Sequence, residues 1–160
     1  MKWEKGQIIG VEIKKLVKHV DSRGCLCETF RLDELPNELK PAMSYVSYTE
    51  PGICRGPHEH VYQTDIFSFI GPGNFLIRTW DNRKESVTYG NLIEIYGGTD
   101  NPVTVIVPPG VVHGYKNISK LERGMVLNFP DKLFMGWGKK EAIDEIRHED
   151  DGSSPFSMEV

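Results

Sequence analysis

The sequence has 160 residues, 39% hydrophobic and 26% charged, which suits one globular domain around a single core. A net charge of −4 with no basic run argues against a nucleic-acid surface, and no stretch approaches the ~20 apolar residues of a membrane-spanning helix. Residues 1–10 are too polar for a secretory signal, and three cysteines (Cys25, Cys27, Cys54) fit reduced thiols in a cytoplasmic protein.

In chain order, runs rich in β-branched and aromatic residues predict strands at 11–20, 25–31, 42–49, 64–70, 74–80, 91–96, 103–107, 114–118 and 125–129. Between them stand turn formers: Asp21-Ser-Arg-Gly24, Glu50-Pro-Gly52, Gly71-Pro-Gly73, Gly97-Gly98 and Pro108-Pro-Gly110. Short strands at this spacing predict a sandwich or barrel. Helix is expected only as a turn within 32–39 and a short segment at 139–145. No linker divides the chain, so residues 1–160 form one domain, with an acidic, Ser/Pro-rich tail at 149–160 expected to be partly ordered. Cys25 and Cys27, two apart in a strand, are expected as small buried residues on one face. Trp3, Trp80 and Trp137 are expected to pack, and His19 and His148 to lie at the surface.

The chemistry concentrates in two places. Arg55-Gly-Pro-His58-Glu-His60 carries two histidines two residues apart, which a strand turns to the same face. His113 follows Pro108-Pro-Gly110-Val-Val, with Asn117 four residues further on. A Pro-Gly turn feeding a strand aims that imidazole at the same interior.

Gly52-x5-His58-x-His60-x4-Asp65 resembles the first cupin motif, and Pro108-x-Gly110-x2-His113-x3-Asn117 resembles the second. The resemblance implies an all-β fold: a cupin-type double-stranded β-helix (jelly-roll) barrel with little helix. In metal cupins the two motifs supply His, His, a carboxylate and His. The matching set here is His58, His60, Asp65 and His113, which suits one divalent transition metal.

A closer resemblance, over residues 21–151, is to the dTDP-4-dehydrorhamnose 3,5-epimerase family, a branch of the cupins that works without a metal. It rests on Asp21-Ser-Arg23-Gly24-x3-Glu28-x-Phe30, Gly52-x2-Arg55-Gly56-x-His58, Asp81-x-Arg83-x2-Ser86-x-Thr88-x-Gly90, Pro108-Pro-Gly-x2-His113-Gly114 and Ile146-Arg-x2-Asp150-Asp151. It implies a cofactor-free epimerase of a nucleotide-linked 4-keto-6-deoxy sugar, working as a homodimer. His58 would be the base, oriented by Asp81 or Asp150. Arg23 and Arg55 would hold the diphosphate, with Glu28, His60, Gln63, His113 and Asn117 as further substrate contacts.

The chain departs from the family at four points. His60 stands where the family has Gln. Gln63-Thr-Asp65 replaces a Gln-x-Lys group, turning a cation into an anion. The family's catalytic Tyr falls near Leu127 or Asn128, and its nucleobase contacts fall near Met43 and Tyr45. The reaction itself is demanding: an imidazole is a weaker base than an enolate by about 16 kcal/mol. Donors aimed at the enolate oxygen must close that gap, and Tyr62, Tyr115 or water must return the proton. These departures point to altered stereochemical scope (one carbon only), a different substrate or a related isomerase activity. They also leave two alternatives: a metal-dependent cupin enzyme and a non-catalytic sugar-nucleotide-binding cupin.

Overall fold

The computed structural model describes residues 3–36 and 38–159. Among them the chain forms strands β1 (Glu4–Lys5), β2 (Glu12–Lys15), β3 (Lys18–Asp21), β4 (Gly24–Cys27), β5 (Tyr45–Thr49), β6 (Cys54–Glu59), β7 (Asp65–Phe69), β8 (Asn74–Asp81), β9 (Asn91–Gly98), β10 (Val103–Val107), β11 (Val111–Asn117), β12 (Gly124–Asn128) and β13 (Ile146–Arg147). Two sheets face each other, ordered β1-β9-β8-β11-β6-β13 and β2-β10-β7-β12-β5, and β3-β4 stands apart as a hairpin. Apart from the parallel β1–β9 pair, neighbouring strands are antiparallel.

The core lies between the sheets. Phe67 and Phe69 from β7, Val103, Val105 and Val107 from β10, and Val126 from β12 meet Phe75, Ile77, Ile95, Val111 and Tyr115 from the larger sheet. Each such side chain contributes on the order of 1.5–3 kcal/mol by leaving water. Strands β7 and β10 are buried along their whole length, because a second layer of Leu35, Leu39 and Phe129 packs on Ile66 and Ile106 on the outer face. That double burial explains why their sequences lack polar alternation.

The outer face of the larger sheet is covered as well. Leu76, Trp80 and Val112 pack against Trp3, Phe156 and Met158, and the Trp3 and Phe156 rings stack at 5.0 Å. Phe156 and Met158 bring the C-terminal segment onto this face.

Several other expectations change. The run at 11–20 breaks into β2 and β3, because Leu16 turns inward while Val17 stays 64% exposed. Strand β6 lies outside the predicted runs, since Gly56-Pro57 interrupts its pattern, although the His58–His60 spacing is that of a strand. The segment at 139–145 is not helical: Lys139, Gly136 and Gly138 all have left-handed φ values of 58°, 67° and 69°. Residues 32–39 hold only a 3₁₀ turn at Leu32–Glu34. Cys25 is exposed and Cys27 half-buried on the hairpin, which no layer covers. Trp137 is 84% exposed rather than packed.

Candidate functional site

A β-bulge creates the site. Across the β6–β11 pair, His58 lies opposite His113 and Arg55 opposite Tyr115. Three steps along β6 therefore match two along β11. Strict alternation would send Arg55 and His58 to opposite faces. The extra residue restores parity and turns both into one cleft. Gly56 makes this possible: its φ is +78°, and a Cβ there would lie 2.6 Å from the His113 carbonyl oxygen.

Four chemically active side chains converge below the cleft. His60 Nε2 lies 3.1 Å from Asp65 Oδ2, and His113 Nε2 lies 3.3 Å from the same oxygen. The His58 ring stands 4.5 Å from that of His113 and 5.5 Å from that of His60. The backbone sets the tautomers: His113 Nδ1 donates to Val111 O at 3.0 Å, and His60 Nδ1 donates to Asp144 O. Both Nε2 atoms are thereby left facing Asp65. The other carboxylate oxygen, Oδ1, accepts from Gln63 Nε2 at 2.9 Å and Asn128 Nδ2 at 2.7 Å. His58 Nδ1 and His113 Nε2 are buried without a hydrogen-bond partner.

The electrostatics split these groups. Burial, with His113 and His60 beside it, pushes His58 down to about 2, so the ring is neutral. Burial also opposes charge on His60, but its hydrogen bond to Asp65 and that carboxylate's charge outweigh it and raise His60 to about 9. Burial likewise opposes charge on Asp65, yet His113 and His60 hold it well below the usual carboxylate range.

Above this floor opens a cleft of about 1590 Å³, lined in large part by residues 130–149. That segment is pinned by Asp144, whose carboxylate accepts from the backbone N–H groups of Val61, Tyr62 and Gln63 at 2.8–2.9 Å. It brings Glu145 Oε1 to 3.8 Å from His58 Nδ1, with Glu149 close by. Arg55 lines the cleft, with Nε on Thr49 Oγ1 and Nη2 on Tyr48 O. Tyr115 shares a hydrogen bond with Ser47 at 2.9 Å. Tyr45 faces the same space and accepts from Asn128 Nδ2 at 2.9 Å. Burial, then the Asp65 charge, raises its phenol above the ordinary tyrosine range.

The expected site residues divide. His58, His60, Gln63, Asp65, His113 and Arg55 come together. Asp81 does not reach His58; its buried carboxylate is occupied by Arg83 (2.8 and 2.9 Å), Ser86 (2.7 Å) and Thr88 (2.5 Å). Asp150 is exposed and pairs with Arg147 at 3.1 Å. The carboxylate beside His58 is Glu145 instead. Asn117 is a turn clasp: Nδ2 donates to Thr49 O and Glu122 O, and Oδ1 accepts from Ser119 N. Arg23 sits on the exposed hairpin, paired with Asp21 at 2.5 Å, and Glu28 lies near Arg31 at 3.7 Å; neither lines this cleft. His148 is not a free surface residue, since it bonds buried Glu59 at 2.8 Å. Glu145, Glu149 and Asp144 carried no local sequence signal, because only the path of the loop delivers them. Tyr45 stands across from Asn128 in the β5–β12 register, so a phenol lies beside the position where the family resemblance expects its Tyr.

The two facing sheets, with histidines from β6 and β11 aimed between them, define a cupin-type jelly-roll barrel. The sequence profile of the dTDP-4-dehydrorhamnose 3,5-epimerase family matches residues 5–127. The chain is 35% identical over 125 residues to a probable low-salt glycan biosynthesis epimerase, Agl13, of Haloferax volcanii, covering 78% of this chain and 79% of the relative. It is 38% identical over 109 residues to the spore coat polysaccharide biosynthesis protein SpsL of Bacillus subtilis, covering 68% and 71%. The crystal structure of a dTDP sugar isomerase from Desulfovibrio desulfuricans superposes with a TM-score of 0.78 at 24% identity, over 94% of this chain and 91% of that one. This chain belongs to the dTDP-4-dehydrorhamnose 3,5-epimerase family.

Proposed function

We propose that this chain epimerises or isomerises a nucleotide-linked 4-keto-6-deoxy sugar by removing and returning a proton next to the C4 ketone. The observation that carries this reading is His58: a buried imidazole with an unpartnered Nδ1, at the foot of a large cleft whose wall bears Arg55. Burial keeps the free ring neutral but also weakens it as a base, so Glu145, 3.8 Å from Nδ1, is needed to steady the imidazolium that forms. Arg55 suits a diphosphate, because a guanidinium makes paired contacts to phosphate oxygens. Tyr45, protonated and hydrogen-bonded by Asn128, is the acid that returns the proton.

A homodimer fits the exposed hairpin. Val20 and Leu26 there are 76% and 63% exposed, and β5 is the free edge of its sheet. Strand exchange between two copies would bring Arg23 and Glu28 of one to the cleft of the other. Three free cysteines agree with work in the cytoplasm.

The test is solvent deuterium incorporation into dTDP-4-keto-6-deoxyglucose, followed by NMR at C3 and C5. His58→Gln is expected to slow exchange by 10²- to 10⁴-fold, the usual worth of a general base. Exchange at the wild-type rate in that variant would remove His58 from the mechanism.

A further inference from the structure

We infer that His60 Nε2, His113 Nε2 and the Asp65 carboxylate form a binding site for one divalent transition metal ion. The inference deepens the epimerase reading and rests on it only for the use made of the ion.

Geometry carries the argument. Metal–ligand bonds of about 2.0–2.2 Å set ligand atoms roughly 3.0–3.5 Å apart around an octahedral or tetrahedral ion. The two imidazole nitrogens lie 3.1 and 3.3 Å from Asp65 Oδ2, and the cluster's ligand atoms all fall within 4.8 Å of one another. Two histidines and one carboxylate are a donor set that suits such an ion, and His58 belongs to the same cluster.

The supports around these three side chains are those a metal needs. Both Nδ1 atoms donate to backbone carbonyls, of Val111 and Asp144, which turns each Nε2 toward Asp65 as the nitrogen a metal would take. Asp65 Oδ1 is held by the amides of Gln63 and Asn128, which leaves Oδ2 for the centre. Without a cation this arrangement is incomplete. A proton on His60 satisfies one approach to Oδ2, but His113 Nε2, on a residue only 3% exposed, keeps no hydrogen-bond partner. A single ion satisfies all three groups at once.

The site also falls where the chain leaves its family pattern. His60 replaces a Gln, and Asp65 stands in the segment that replaces a Gln-x-Lys group. An anion and an imidazole together exchange a fixed cation for a place to hold one. A divalent ion held by His60, His113 and Asp65 would supply Lewis-acid assistance, the kind of help that α-proton removal by a weak base requires. His58 stays beside the triad, with Nδ1 toward Glu145, as the base.

The test uses tag-free full-length protein stripped with chelator and titrated with Co²⁺ and Zn²⁺, read by calorimetry and by the visible spectrum of the cobalt form. One equivalent is expected to bind, with Asp65→Asn and His60→Gln each weakening it 100-fold or more. Asp65 is buried and its variant risks misfolding. His60→Gln, nearer the cleft and carrying the residue of the family resemblance, keeps the test decisive if its circular dichroism is unchanged. No saturable binding, or binding that ignores both substitutions, overturns the site. His58→Gln distinguishes the two readings. Retained metal with lost deuterium exchange supports both. Lost metal in that variant makes His58 a fourth ligand: the metal-binding locus stands, and the assignment of His58 as base falls.

Discussion

Replacing Asp81 by Asn decides whether this carboxylate serves the fold or the reaction. It is wholly buried and accepts from Arg83 N and Nε at 3.1 and 2.8 Å, Arg83 Nη2 at 2.9 Å, Ser86 Oγ at 2.7 Å and Thr88 Oγ1 at 2.5 Å. An Asn of the same shape keeps one acceptor but places an NH₂ against donors. The hydroxyls can turn to accept, whereas the guanidinium cannot. The bidentate contact to Arg83 is lost, and because the Arg83 side chain stays 27% exposed and can turn to water, the cost is about 1–3 kcal/mol, that of hydrogen bonds lost at a buried acceptor. Urea unfolding followed by tryptophan fluorescence reports it, since neighbouring Trp80 is 2% exposed. Burial opposes the charge on Asp81, but Arg83, Thr88 and Ser86 outweigh it and hold the carboxyl below its ordinary range. Its contribution is therefore fully present above the unfolded carboxyl value of about 3.9 and is lost as pH falls through the folded value. The gap between wild type and variant should be widest at neutral pH and narrow below about pH 4. Deuterium exchange per folded molecule should be unchanged. An unaltered urea midpoint with lost exchange would refute the structural role and restore Asp81 as the group that orients His58.

Two further outcomes follow from the packing. Gly56→Ala should lower stability by about 2 kcal/mol or more, from the left-handed backbone and the close carbonyl of His113. It should also reduce exchange in the folded fraction, because the bulge aims both His58 and Arg55; normal exchange would show that the bulge is not needed. Phe156→Ala should cost about 3 kcal/mol, the low end for a buried aromatic, since Trp3, Trp80 and His148 all contact the ring. An unchanged urea midpoint would mean that the tail does not secure the larger sheet.

The sequence by itself determined the architecture and the floor of the site. Strands at 103–107 and 64–70 were legible because runs of Val, Ile and Phe between Gly and Pro turns leave few other structures open. His58, His60 and His113 were legible because two-residue alternation and a Pro-Gly turn are local rules. Strand β6 was only partly legible, since a bulge breaks the very alternation by which strands are recognised, and Arg55 and His58 share a cleft only because of it. Tertiary structure alone decided which carboxylate meets which base. Asp81 lies in a motif and is consumed by its own turn, whereas Glu145 lies in an irregular segment and reaches His58 because Asp144 ties that segment to three backbone amides. The same holds for Tyr45, whose phenol reaches the site from β5 through the strand register. Local patterns follow from neighbours in the chain, but contacts across 80 residues depend on where a loop closes, and that is set by packing.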